Sequence, residues 1–355
     1  MADGTKTSGV FQLFDLSEDI VSNRVTTVSS GIWSSGGTTL TQGSTTAGFF
    51  SSSAQSASSG EYYYDVQQEA SSSSTSEVQF SIAYGHYAGS GSTNSTTGTD
   101  ASKAIYSQFK NIILSPTKTN FEFGPNGSEE TSLDGYFLSV SRARMREKVD
   151  PGNWEIRLPG EKGLRLIDDS GATSDSSVAK GTTYFNIVSG SISTGTADYK
   201  YSAGTTKMYY GRFYPYLGVF YIDAPSVDSG SGATQKGISL GTARSTNAND
   251  NNSSRLFNSF NTTGGYFQAR REEDIKSTHY FCRVTNKRYN FSQNPSYYTG
   301  SGELTNPTFV TDPRTYITTV GLYNANSELL ALAKLSKPFL KTPAREAVIK
   351  IRLDF

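Results

Sequence analysis

A chain of 355 residues is long enough for two or three domains with a sizeable core. Its 32 basic and 32 acidic side chains cancel, so generic electrostatic attraction to nucleic acid or to an anionic membrane surface is not indicated. One cysteine, Cys282, excludes an intrachain disulfide and a cysteine-built metal cage.

Aromatic residues make up 12%, with 22 Tyr and 20 Phe, against only 18% charged residues. With abundant Gly, Ser and Thr, this balance favours strands and polar loops over helices. The opening Met-Ala-Asp-Gly-Thr-Lys lacks the basic-then-apolar pattern of a signal peptide. No apolar run reaches the roughly eighteen residues of a membrane span. The expectation is a soluble protein, not secreted through a signal peptide.

Val10 to Leu16 is an apolar opening, and Asp19 to Ser29 and Gly31 to Trp33 read as strands. Ser34 to Gly60 is dominated by Ser, Thr and Gly and carries Phe49 and Phe50. Composition alone reads as disorder. The recurrence of Leu40, Phe49, Phe50 and Tyr62 to Tyr64 argues for an ordered segment, and a floppy surface loop carrying a few sticky aromatics is the equal alternative. Strands follow at Glu61 to Gln67 and Val78 to Tyr84, then a polar loop from Gly85 to Thr99. Lys103 to Leu114 is the one good helix: Ile105, Phe109, Ile112 and Ile113 recur at helical spacing, Asp100 or Ser102 caps it, and Pro116 stops it.

Short strands then recur at Asn120 to Phe123, Tyr136 to Val140, Trp154 to Leu158, Gly163 to Ile167, Thr183 to Val188, Lys207 to Tyr214 and Leu217 to Ile222. Asp223 to Ser254 is a second polar tract and reads as an exposed loop. Gly265 to Ala269, a charged stretch from Arg270 to Lys276, and a strand from Thr278 to Thr285 come next. Cys282 in that strand reads as a small buried residue. Tyr316 to Tyr323 and Glu328 to Leu335 form a hairpin around Asn324 to Ser327, where Asn tolerates the positive φ of a tight turn. Pro338 and Pro343 bracket a link into the last strand. There Ala347, Ile349, Ile351, Leu353 and Phe355 share one face, and the hairpin is the expected partner.

The fold expected is mainly β: one or more β-sandwich-like modules of short antiparallel strands, with long polar loops and one short helix. The divisions expected are an N-terminal Ser/Thr/Gly-rich β segment or arm (1–75), a β module with the helix (76–160), a middle β region with the exposed loop 223–254 (161–260), and a C-terminal β module ending in a core strand (261–355).

Little in the chain points to catalysis. His86 and His279 each neighbour a tyrosine and read as structural. Gly237-Ile238-Ser239-Leu240-Gly241 matches a nucleophile elbow in letters only, since neither the strand nor the helix that the elbow needs flanks it. Asp168-Asp169-Ser170-Gly171 and Asn249-Asp250-Asn251-Asn252 offer hard oxygens suited to calcium. They lack the spacing and late Glu of a calcium loop, and turn chemistry explains them. There is no phosphate loop and no His-Glu-x-x-His helix. The expectation is a non-enzyme with no cofactor and no metal.

Contact surfaces are better represented. Arg142, Arg144 and Arg146 alternate and would share one face of a strand, suited to carboxylates of a neighbouring subunit or domain. A solvated edge that blocks strand pairing is the competing reading, and phosphate binding the weakest. Trp154, Phe49 and Phe50 are the aromatic interface candidates. Tyrosines with Ser- and Asn-rich loops also suit stacking on sugars, which gives a second reading, a glycan-binding fibre or adhesin module.

Several runs carry a resemblance: Asp19-Ile20-Val21, Ser30-Gly31-Ile32-Trp33, Ser52-Ser53-Ala54-Gln55, Tyr62-Tyr63-Tyr64-Asp65-Val66, the segments Gln79 to His86, Gly89 to Ser92, Ile105 to Asn111 and Lys148 to Trp154, and Tyr316 to Phe355. Together they resemble a family of virion structural proteins of large tailed bacteriophages, the contractile-tailed type included. The resemblance spans nearly the whole chain. It implies a non-enzymatic tail or baseplate component whose partners are other virion proteins and copies of itself. It also implies that the Ser/Thr-rich tract belongs to the fold. A single cysteine suits a particle assembled in a reducing host cytoplasm.

Overall fold

Runs rich in Val, Ile, Tyr and Phe commit much of this chain to strands, alternating where one face meets water and apolar nearly throughout where both faces are covered, as in β16 (Val219–Asp223). The computed structural model describes residues 12–41, 50–53, 56–57, 60–61, 63–70, 72–89, 100–124, 129–159, 164–171, 184–192, 209–227 and 252–354. In chain order the elements are β1 (Ile20–Gly31), β2 (Thr39–Thr41), β3 (Phe50–Ser53), β4 (Ser56–Ala57), β5 (Gly60–Glu61), β6 (Tyr63–Gln67), β7 (Val78–His86), α1 (Asp100–Ile113), β8 (Phe121–Phe123), β9 (Glu130–Ser132), β10 (Asp134–Val140), α2 (Arg142–Met145), β11 (Lys148–Val149) and β12 (Glu155–Leu158). They continue with β13 (Leu164–Asp168), β14 (Phe185–Ser189), β15 (Tyr209–Tyr214), β16 (Val219–Asp223), α3 (Ala224–Val227), α4 (Asn252–Phe260), β17 (Tyr266–Gln268), β18 (Arg270–Val284), β19 (Thr315–Tyr323), β20 (Leu329–Lys341) and β21 (Ala347–Asp354).

The chain is mainly β, with antiparallel ladders, as expected. Its divisions differ from the expected 1–75, 76–160, 161–260 and 261–355. Thr27–Glu273 forms one compact unit, and Met1–Thr26 with Asp274–Phe355 forms the other. The reason is that strands from all four expected segments join a single sheet, in the order β2-β17-β12-β13-β14-β15-β16-β10-β7-β6-β3.

That sheet rolls up. β17 and β7 stand seven strands apart along it, about 34 Å if it were flat. Yet the rings of Phe267 and Phe80 meet edge to face at 5.2 Å. Trp33 touches both, at 5.1 Å from Phe267 and 6.0 Å from Phe80. Two walls of one sheet thus face each other across an aromatic core, the sandwich-like arrangement expected. The roll buries the inner-face residues Phe80, Ile82 and Tyr84 of β7, Tyr136, Leu138 and Val140 of β10, and Phe220 and Ile222 of β16. On the outer face of β10, Phe137 stacks on Phe109 of α1 at 4.2 Å. α1 can approach because β7 carries Gly85 there. A Cβ at that position would lie 2.7 Å from the Phe137 ring and 3.0 Å from the Tyr106 backbone nitrogen.

A further helix longer than one turn, α4, lies where the polar tract was read as loop up to Ser254. Leu256, Phe257 and Phe260 are buried, and Phe257 stacks on Tyr64 at 5.7 Å. The rest of the tract up to Asn251, apart from the strand end and turn at 223–227, lies outside the described residues.

In the other unit the last strand alternates as expected, with Ile351 buried and Val348 exposed. Its partner is β18 and not the hairpin: Ile351 pairs with Tyr280 and Ile349 with Cys282. The charged stretch Arg270 to Lys276 is the first half of β18. Cys282, opposite Ile349 on β21, is half-buried and not buried. Pro338 lies inside β20, not in a link. The register there jumps from Thr319–Lys334 to Ile317–Phe339, so proline sits in a bulge where its missing N–H removes no ladder bond.

Candidate functional site

The arginine stripe does not form. Arg142 and Arg144 belong to the helical turn α2, and Arg146 follows it with φ 57°. Residues two apart on a helix point about 200° apart, so the shared face expected of a strand is lost. Each guanidinium is engaged within its own unit. Arg142 donates to the Tyr216 carbonyl at 3.1 Å, Arg144 pairs with Glu77 at 2.8 Å, and Arg146 pairs with Glu273 at 3.1 Å. Trp154 is also not a surface residue. It is fully buried, 4.7 Å from Phe220 and 5.3 Å from Phe213. Phe50 opens β3 opposite Gln67. Phe49, Ser239 and Asn249 to Asn251 lie outside the described residues, whereas Asn252 is buried at the start of α4.

His86 ends β7, its Nδ1 accepting the Ala88 N–H at 3.0 Å, and His279 is buried in β18 opposite Arg352. The Asp168-Asp169 pair performs turn chemistry. Asp168 accepts the N–H groups of Gly152 and Ser170 at 2.8 and 2.9 Å, and Asp169 accepts both the N–H and the side-chain amide of Asn186. Burial raises both carboxyls above the ordinary 3.8, Asp169 to about 6, against the pull of those donors.

Two further buried carboxylate networks are invisible to sequence reasoning, since their partners come from distant strands. Tyr84 donates to Asp134 at 2.8 Å, and Ser132 donates to Asp223, which also accepts the N–H and hydroxyl of Ser226. Tyr221 donates to Ser132 in turn, and burial holds its phenol well above 10. Glu155 accepts from Tyr266, from Ser191 at 2.9 Å and from the Ile192 N–H at 2.9 Å. Burial, then the Glu155 contact, pushes the Tyr266 phenol to about 12. These five carboxylates are all buried, and their bonds pin strands and turns together. Among the described residues no cluster of three or more His, Cys, Asp or Glu side chains is placed to hold a metal ion, and no helix is long and apolar enough to cross a membrane.

The surface that stands out is the β19–β20 hairpin. Its turn is built by Asn324, whose side chain accepts the N–H groups of Asn326 and Glu328, both at 2.9 Å. The left-handed residue is Ser327, φ 66°, and not an asparagine. Cross-strand pairs Tyr323–Leu329 and Gly321–Leu332 put these side chains on one face. A Cβ on Gly321 would lie 2.8 Å from the Tyr323 ring and 3.3 Å from Leu329 Cδ1, so both side chains close over the glycine. The result is an apolar face exposed to water: Tyr323 is 47%, Leu329 51% and Leu332 65% accessible. Leu330, in the register shift, is also exposed. The opposite face, with Leu322 buried, is better covered.

Among the described residues no third strand pairs with β19 or β20. A two-stranded ladder is marginal in water by itself. Open edges beside an apolar face are the usual template for adding protein. No protein-family model matches this chain, and neither does any curated protein or solved structure.

Proposed function

We propose that this chain is a structural component of a bacteriophage virion, of the tail or baseplate, working by protein–protein assembly and without catalysis. The observation that carries the reading is the exposed Tyr323–Leu329–Leu332 face of a hairpin with open edges. Side chains of that kind form the apolar centre of obligate interfaces. The resemblance to virion structural proteins supports the particle as the setting, with copies of this chain and other virion proteins as partners.

Leu332→Lys tests the reading, because it places a charge on that face at a residue that is 65% accessible. Assembly, followed by sedimentation and by incorporation into particles, is expected to weaken about tenfold or more, with an unchanged circular-dichroism spectrum. Assembly of the variant at wild-type strength would remove the hairpin as the docking element. Electron microscopy that finds no copy of the chain in intact particles would remove the virion setting.

A further inference from the structure

The connection between β18 and β19 contains the same four-residue device twice. Asn294-Pro295-Ser296-Tyr297 and Asn306-Pro307-Thr308-Phe309 are both short 3-10 turns opened by an asparagine cap and a proline. In each, the asparagine Oδ1 accepts the N–H of the Ser or Thr at 3.2 Å. Its carbonyl accepts the N–H of the aromatic residue, at 2.9 Å for Tyr297 and 3.0 Å for Phe309. The two aromatic rings so placed stack on each other at 5.5 Å. Phe291 meets Tyr297 edge to face at 5.3 Å and lies parallel to Tyr298, within 1°, at 6.4 Å.

This cluster is not a core. Phe291 is 61% exposed and Val310 72%, and no residue of either turn is buried. It is nevertheless firmly built. Tyr298 donates to the Gln293 carbonyl at 2.9 Å, and Thr305 donates to the carbonyls of Ser296 and Tyr297. At its base, Thr315 donates to the carbonyl of Tyr289 at 2.6 Å, and Tyr289 is held at φ 58°. The buried Lys341 ammonium uses its three donors on Asn286 O, Asn290 Oδ1 and Thr342 O. Backbone held in a sparsely populated conformation by surrounding bonds is a mark of functional loops.

We infer that the segment from Tyr289 to Thr311 is a binding platform for a neutral sugar chain, with the exposed Phe291 ring, backed by the parallel ring of Tyr298, as its stacking face. Charge decides between ligand classes. Glu303 is the only charged residue in the segment, which disfavours phosphate, nucleic acid and acidic polymers. The same segment exposes the amides of Gln293, Asn294 and Asn306, and the hydroxyls of Thr305 and Thr308, which donate to Ser296 O and Asn306 Oδ1, keep their oxygens as acceptors. The asparagine Oδ1 atoms are committed to the turns, while their NH2 groups are not engaged there. Flat apolar faces accompanied by amides and hydroxyls match the two surfaces of a pyranose, its C–H face and its equatorial hydroxyls. A preformed platform also spares the ligand the cost of ordering the loop.

The test is titration of the full-length chain with cellohexaose, maltohexaose and chitohexaose up to millimolar concentration, read by intrinsic fluorescence and calorimetry. Sedimentation is run in parallel. A saturable response to at least one of them is expected, weakened about tenfold in Phe291→Ala and in Tyr298→Ala with unchanged circular dichroism. Leu332→Lys, on the hairpin, is expected to bind the sugar as wild type does, so the sugar site and the assembly surface stand or fall separately. No saturable response to any of the three sugars overturns the inference. So does equal binding by wild type and Phe291→Ala. A Phe291→Ala change in sedimentation with sugar binding unaltered would show a protein contact instead, and overturns it too.

Discussion

Trp154 shows how a single side chain is misplaced by local reading. It follows a strong turn, Asp150 to Asn153, and so looks like a residue on the rim. The roll of the sheet carries it inward onto Phe213 and Phe220. Trp154→Ala is expected to lower unfolding free energy by about 3–5 kcal/mol, read by chemical denaturation. An interface residue would instead alter assembly and leave stability nearly untouched. Asp169 supplies a second test. Burial first, and the neighbouring Asp168 charge to a lesser degree, raise its carboxyl from 3.8 to about 6. Between those values the folded protein holds the proton more tightly than the unfolded chain does, so this group's contribution to stability falls as pH rises through the window and is level above it. Asp169→Asn cannot ionise. The melting temperature of the variant relative to wild type is expected to rise between about pH 4 and pH 6 and then stay constant. A difference that does not change with pH would show that Asp169 does not titrate in this range.

At the scale of elements, periodicity was legible where apolar positions recur without a polar or charged stretch masking them. α1 and β21 follow the spacing of their apolar positions, and β7, β10 and β15 lie within a residue or two of the limits read. Shorter devices escaped. Three arginines at alternate positions mimic a strand, and one helical turn is too short to show its own period. α4 was hidden by the polar tract ahead of it, although Leu256, Phe257 and Phe260 carry a helical spacing. The twin Asn-Pro-[Ser/Thr]-aromatic turns had a signal, a four-residue pattern repeated at a spacing of twelve, that a search for longer repeats passes over. One element-level contact is open to direct test. Gly85 lets α1 settle on β7. Gly85→Val is expected to destabilise the protein by about 1–3 kcal/mol and to speed hydrogen exchange in α1 ahead of the rolled sheet. Exchange unchanged in α1 would show that the helix does not depend on this close approach.

At the scale of the molecule, strand order is what the chain conceals. β12 to β16 form a meander in which sequence neighbours are also spatial neighbours; the links β12–β13 and β15–β16 are short, while β13–β14 and β14–β15 are joined by long connections. β17 instead inserts between β2 and β12, and β10 pairs with β16 across a long stretch of chain. These pairings turn four expected segments into two units; among the described residues the β19–β20 hairpin has no third strand.

By itself the sequence determined that the chain is built of strands, where most of them start and stop, and that its large aromatic side chains are its chief material. Those properties depend on neighbours within a few residues, through side-chain alternation and turn chemistry. Only the tertiary structure decided which aromatic residues are core and which are surface. Trp154 and Phe267 are sealed in, and Phe291 and Leu332 face water, although nothing in their immediate neighbours separates the two pairs. Burial is a property of the sheet's curvature and strand order, and these are set by contacts between residues a hundred or more positions apart, such as Phe80 and Phe267.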